Sequence, residues 1–131
     1  MSLIYMTTTT SNSVSANGII PLTTIARRKG CACQGGSNLV ILTKPGYYKI
    51  NGSVTLTGSA GNAIITLYKN GTSIPAISST ETITTADTEY RTLNFNGIIR
   101  VFCNELNTSL TLVSSTAITQ TNVSLDVEYL G

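Results

Sequence analysis

Histidine and tryptophan are both missing from this 131-residue chain, and charge is scarce. Without histidine the commonest general acid–base side chain is unavailable, and so is the commonest metal-binding imidazole. Charged residues make up 11%, against about a quarter in an ordinary soluble domain. The surface must then be built from hydroxyls and amides, and threonine, serine and asparagine dominate the chain. Such a surface suits a domain that works outside a cell, on a virion or inside an assembly, since solitary cytosolic domains carry more charge. A net charge of +2 is too small for a nucleic-acid binder, which concentrates Lys and Arg on one face. The single basic run, Arg27-Arg28-Lys29, is expected to be a solvated loop or an assembly contact.

Long apolar runs are lacking too. Nothing approaches the ~20 consecutive apolar residues of a membrane-spanning helix, so no membrane partner is expected. The apolar start, Met1 to Met6, has no charged export-signal region, which points to synthesis and assembly in a cytoplasm. The 3 cysteines, Cys31, Cys33 and Cys103, are an odd number and argue against a disulfide framework. With no histidine beside them, no metal site is assigned.

The 6 carboxylates are Glu81, Asp87, Glu89, Glu105, Asp126 and Glu128. Asp126 and Glu128 fall on one face of a strand, and paired carboxylates can serve a glycosidase. A solvated pair is the simpler reading. Glu81, Asp87 and Glu89 could gather as a loop calcium site, but without a ligand loop of recognisable spacing none is assigned. No glycine-rich phosphate loop leads into a helix, and no nucleophile stands beside a base. No catalytic, cofactor-binding or metal-binding residue is assigned, and no enzyme is expected.

What the chain does have is period-two patterning. Tyr48, Ile50, Gly52, Val54 and Leu56 alternate with Lys49, Asn51, Ser53, Thr55 and Thr57, the pattern of a half-buried strand. Asn70-Gly71 supplies the two positive-φ residues of a tight hairpin, and Pro75 beyond it marks an edge or a bulge. Val123, Leu125, Val127 and Tyr129 are expected to face inward, with Ser124, Asp126 and Glu128 outward. Pro21 places a strand from Ile19 to Ile25 at an edge, and Cys31 to Asn38 reads as a loop. Asn96-Gly97 is expected to split or bulge the strand that runs to Cys103. With no helical periodicity, the fold class is all-β, an antiparallel jelly-roll sandwich of about eight to ten strands. Residues 1–16, apolar and then a polar threonine run, read as a flexible lead or anchor, and residues 17–131 as the jelly-roll domain.

The run from Lys44-Pro45-Gly46-Tyr47-Tyr48 to Leu56 resembles the second-strand signature of the TNF-like jelly rolls, which include the globular heads of complement-type proteins. Leu67-Tyr68-Lys69-Asn70-Gly71 resembles the hairpin that follows in that family, and Val123 to Leu130 its closing strand. The likeness covers residues 18–130 by layout and residues 44–71 by motif. Aromatic residues are fewer than in the animal members, at 6%, and no collagenous stalk is present. In look the chain is closer to short phage jelly rolls and spore-surface heads. The resemblance implies a homotrimer used for attachment or decoration. The function expected is therefore a bacteriophage virion structural protein: a capsid decoration or head-fibre module bound to capsid or other virion proteins through its N-terminus. A receptor- or glycan-binding tip of a tail fibre or spore surface, contacting a host-surface glycan, is the alternative. The particle-anchor candidates are Leu3, Ile4, Tyr5 and Met6. Apolar residues left over on outer faces make Ile65, Tyr68, Ile98 and Phe102 the trimer-interface candidates.

Overall fold

Between Gly46 and Gly58 the side chains alternate in burial, and Tyr48, Ile50, Val54 and Leu56 are inaccessible to water. That strand is one of twelve among the described residues, 2–105 and 107–131, of a computed structural model. In chain order they are β1 (Ser2–Thr8), β2 (Asn12–Val14), β3 (Gly18–Ile19), β4 (Thr24–Lys29), β5 (Cys33–Gly36) and β6 (Leu39–Leu42). There follow β7 (Gly46–Gly58), β8 (Gly61–Lys69), β9 (Thr72–Ile83), β10 (Arg91–Val101), β11 (Thr108–Ser114) and β12 (Ile118–Tyr129). Two antiparallel sheets face each other across one core. The first has the order β10-β7-β12-β1-β4, with β2 beside the start of β12. The second has the order β5-β6-β11-β8-β9, with β3 beside β11. This is the jelly-roll sandwich expected from the alternation.

The turn before β7 is held by two tyrosines. Tyr48 Oη donates to the Lys44 carbonyl at 2.7 Å, and Tyr129 Oη donates to the Pro45 carbonyl at 2.8 Å. Their rings lie 4.9 Å apart, centroid to centroid. Gly46 has φ +137°, and a Cβ there would come within 2.8 Å of the Tyr129 ring, so both backbone and space demand glycine. The Pro-Gly-Tyr-Tyr run is thus a packing device that anchors the closing strand. Asn70 and Gly71 adopt φ 51° and 79°, as the hairpin between β8 and β9 requires. Pro75 marks a bulge: the register with β8 jumps there from Ile74 to Ser78.

Five expectations need correction. Residues 2–8 are no flexible lead. β1 lies between β12 and β4, with Ile4 and Met6 in the core, because the β-branched threonine run extends the strand that the apolar residues begin. Met1 lies outside the described residues. The expected strand around Pro21 is two strands in different sheets. Pro21 cannot donate to a ladder, and the chain crosses between sheets there, where Thr8 Oγ1 donates to its carbonyl at 2.8 Å. Arg27, Arg28 and Lys29 form the exposed edge strand β4, with one long edge unpaired among the described residues. Cys33 to Gly36 form β5, so the expected loop is partly strand. Finally, β10 runs past Asn96-Gly97 with unbroken pairing to β7. Gly97 is there because Ile77 of the other sheet packs on it, and a Cβ would meet Ile77 Cγ1 at 2.5 Å.

Candidate functional surfaces

The outer face of the first sheet is assembled from β10, β7, β12, β1 and β4 in lateral rows. One row runs Ile98, Lys49, Glu128, Leu3, Lys29, and the next runs Asn96, Asn51, Asp126, Tyr5, Arg27. Asp126 and Glu128 therefore do share an outward face, as their spacing predicts. The Asp126 carboxyl is raised above its ordinary range by burial first and the Glu128 charge second, with Lys49 pulling the other way. Neither carboxylate forms an ion pair among the described residues; the ion pairs there are Lys69–Glu105 and Arg91–Glu89. Around Asp126 lies a shallow polar hollow of about 310 Å³, lined by Tyr5, Asn51, Ser53, Asn94 and Ser124. Among the described residues no three His, Cys, Asp or Glu side chains cluster as metal ligands.

At one end of this face the surface turns apolar. Ile98 is 61% exposed and Phe102 49% exposed, with Tyr47 and Leu130 at the same corner. Arg100 stacks over both neighbouring rings, 4.5 Å from the centroid of Phe102 and 5.5 Å from that of Tyr47. Four of the large hydrophobic side chains exposed in the fold are gathered here. Of the interface candidates, Ile98 and Phe102 belong to this corner. Ile65 does not: it points into the core between Ala63 and Leu67, because its place in the alternation of β8 is inward. Tyr68 is half-buried on the outer face of the other sheet. Tyr47 and Leu130 escaped the sequence reading because each adjoins a core tyrosine and looks like part of the same apolar run.

The anchor candidates are split by the same alternation. Ile4 and Met6 are core residues, while Leu3 and Tyr5 are half-exposed members of the rows above. Four consecutive residues of an interior strand cannot act as a free tether. The second sheet is poorer in charge: β3, β5, β6 and β11 carry no charged residue at all.

The cysteines separate by burial. Cys31 and Cys103 are exposed, and Cys33 is buried, its Sγ 3.9 Å from the Val127 carbonyl. Burial pushes the Cys33 thiol from 9.0 up to about 11, helped by the Asp126 charge and opposed by Arg28. Burial likewise pushes the Tyr48 hydroxyl up to about 12, against the Lys44 backbone N–H, which donates to it at 3.3 Å. The unfolded chain gives up these protons first. The stability they contribute is therefore complete below about pH 9 and is lost as pH rises through 11 and 12. A melting temperature flat to about pH 9 and falling above it is expected, with Cys33→Ala removing the lower part of the fall. A thiol reagent at about pH 8 should label Cys31 and Cys103 at once and Cys33 only on unfolding. Rapid labelling of all three thiols in the native protein would contradict the burial.

No family model and no curated protein matches the chain. Solved structures do match. Eiger TNF from S. frugiperda superposes with a TM-score of 0.76 over 99% of this chain and 91% of its own, at 7% identity. The globular domain of zebrafish complement 1qA protein gives a TM-score of 0.74 over 100% and 98%, at 6% identity. The PRD1 vertex protein P5 gives 0.66 over 99% and 97%, at 12% identity. At such identities the likeness is one of fold. The fold is the TNF-like jelly roll.

Proposed function

We propose that this chain is a non-enzymatic structural module of a bacteriophage virion, a homotrimer that decorates the capsid or forms part of a head fibre. The observation that carries the reading is the apolar corner of Tyr47, Ile98, Phe102 and Leu130, about half exposed or more around the Arg100 guanidinium on a chain with little charge to keep copies apart. Large apolar side chains exposed together at one corner mark an interaction surface more often than a free one. Packing copies around a closed axis covers it without runaway assembly. The TNF-like fold supports the trimer, and the fold shared with a vertex protein supports the particle setting. The hydroxyl-rich surface and the absence of histidine favour a structural role over catalysis. Attachment falls to the body of the domain, because residues 2–8 are committed to the sheet. No helix among the described residues is long and apolar enough to cross a membrane.

Sedimentation equilibrium should give three times the mass of one chain. Ile98→Asp with Phe102→Asp should return the single-chain mass with an unchanged circular-dichroism spectrum, since neither side chain is buried within the chain. A wild-type protein that sediments as one chain at micromolar concentration would remove the main support for this role. A receptor- or glycan-binding tip is the second reading, favoured by a cleft at the far end of the sandwich.

A further inference from the structure

That cleft, of about 530 Å³, lies where β7 ends and β12 begins. Four separate segments build it. Val14 and Ile118, cross-strand partners and both buried, make an aliphatic floor. Ser15 and Ser59 stand beside it with their hydroxyls. Ser13 and Thr119 also line it, their side chains turned by strand alternation to the opposite face from Val14 and Ile118. Asp87 reaches in from the β9–β10 loop and is the single charged residue of the lining. Among the described residues no cation lines the cleft.

Asp87 is held in place by the loop around it. Its backbone adopts φ 61°, and its N–H donates to the Gly58 carbonyl at 2.9 Å. Glu89 braces the same loop, accepting from the Thr84 backbone and hydroxyl and from Arg91. The Asp87 carboxylate itself has no hydrogen-bond or ion-pair partner among the described residues. Next to the cleft in the chain, though not in its lining, Thr57 Oγ1 is buried without a partner among the described residues. Thr57 precedes Gly58 and pairs with Thr119, both of which line the cleft.

We infer that this cleft binds a neutral carbohydrate ring. An aliphatic floor suits the C–H face of a sugar, and a hydroxyl rim can both donate to and accept from its hydroxyls. The unpartnered Asp87 carboxylate is free to accept from a neighbouring pair of hydroxyls with charge-assisted strength. The lining offers nothing to balance a phosphate, sulfate or carboxylate. A calcium ion takes about six to eight oxygen ligands, too many for one carboxylate and scattered hydroxyls. The volume falls within the usual range for small-molecule sites, roughly 300–1,000 Å³. The inference rests on the second reading above and is independent of copy number. From Tyr47 to Gly58 along β7 the apolar corner and the cleft are roughly 35 Å apart.

Saturation-transfer NMR and calorimetric titration of the full chain test this, with methyl α-glucoside, methyl β-galactoside and N,N′-diacetylchitobiose as probes and glucose 6-phosphate as the anionic control. Saturation transfer to at least one neutral probe is expected. Asp87→Gly, which tolerates the left-handed backbone but deletes the carboxylate, should weaken that binding about tenfold or more. Ser59→Trp, at an exposed turn position, should fill the mouth and abolish it. Ile98→Asp with Phe102→Asp should leave the affinity unchanged whatever it does to the sedimenting mass, so the two proposals fail separately. Absence of transfer to all three neutral probes overturns the inference. So does an affinity unmoved by both cleft variants, or tighter binding of the phosphate.

Discussion

Deletion of residues 1–8 is expected to leave a chain that does not fold. β1 pairs along its whole length with β12 on one side and from Leu3 to Thr7, across one bulge, with β4 on the other. Its removal uncovers the long edge of β12 and strands β4 without a neighbour. Ile4 and Met6, 0% and 2% exposed, leave the core with it. Burying two such side chains contributes about 3–6 kcal/mol, and the backbone pairs on both sides are lost as well. A domain stable by about 5–15 kcal/mol does not survive that loss. The readout is the dispersion of the amide region in a proton–nitrogen correlation spectrum. A dispersed, native-like spectrum from the truncated chain would show that the strand is dispensable and would restore the tether reading of the N-terminus.

The second large effect is a contrast between adjacent residues. Val54 is inaccessible to water and lies between Leu93 and Val123 on the flanking strands. Val54→Asp places an unpaired carboxylate in that row, at a penalty of several kcal/mol, and should prevent folding. Thr55 points to the outer face, where its hydroxyl lies 3.0 Å from that of Thr92. Thr55→Asp forfeits that one exposed contact and should lower stability by less than about 1 kcal/mol. Urea titration of both variants decides the matter. If Thr55→Asp were as damaging as Val54→Asp, the outer face of β7 would have to be buried against another copy. The same measurement therefore probes both the core and the assembly.

Much of the fold was legible because strand signals are local. β7 alternates cleanly, the Asn70-Gly71 turn needs its two positive φ angles, and Val123, Leu125 and Val127 all reach the core. β1 escaped because Leu3 and Tyr5 are apolar on its outer face, which erases the contrast on which a period-two reading depends. Asn96-Gly97 misled for the opposite reason. Its composition suits a turn, but Ile77 needs the space of a glycine inside a straight strand. The functional surfaces were less legible than the core. Ile98 and Phe102 were found as leftover apolar residues, while Ile65 was assigned to the wrong face within a run apolar on both sides.

By itself, then, the sequence determined the class of structure, most of the core positions in its regular strands and a hydroxyl-rich, lightly charged surface. These follow from side-chain alternation and turn chemistry, which act over a few residues. Only the tertiary structure decided which strands are neighbours and which outward residues share a surface. Ser2 faces Tyr129, and Val14 faces Ile118. Such pairings join segments from opposite ends of the chain, and they form only when all the inward faces are buried together. The apolar corner and the carboxylate-bearing cleft exist only after that step. Each is made of short segments that carry no ligand or partner motif until packing brings them side by side.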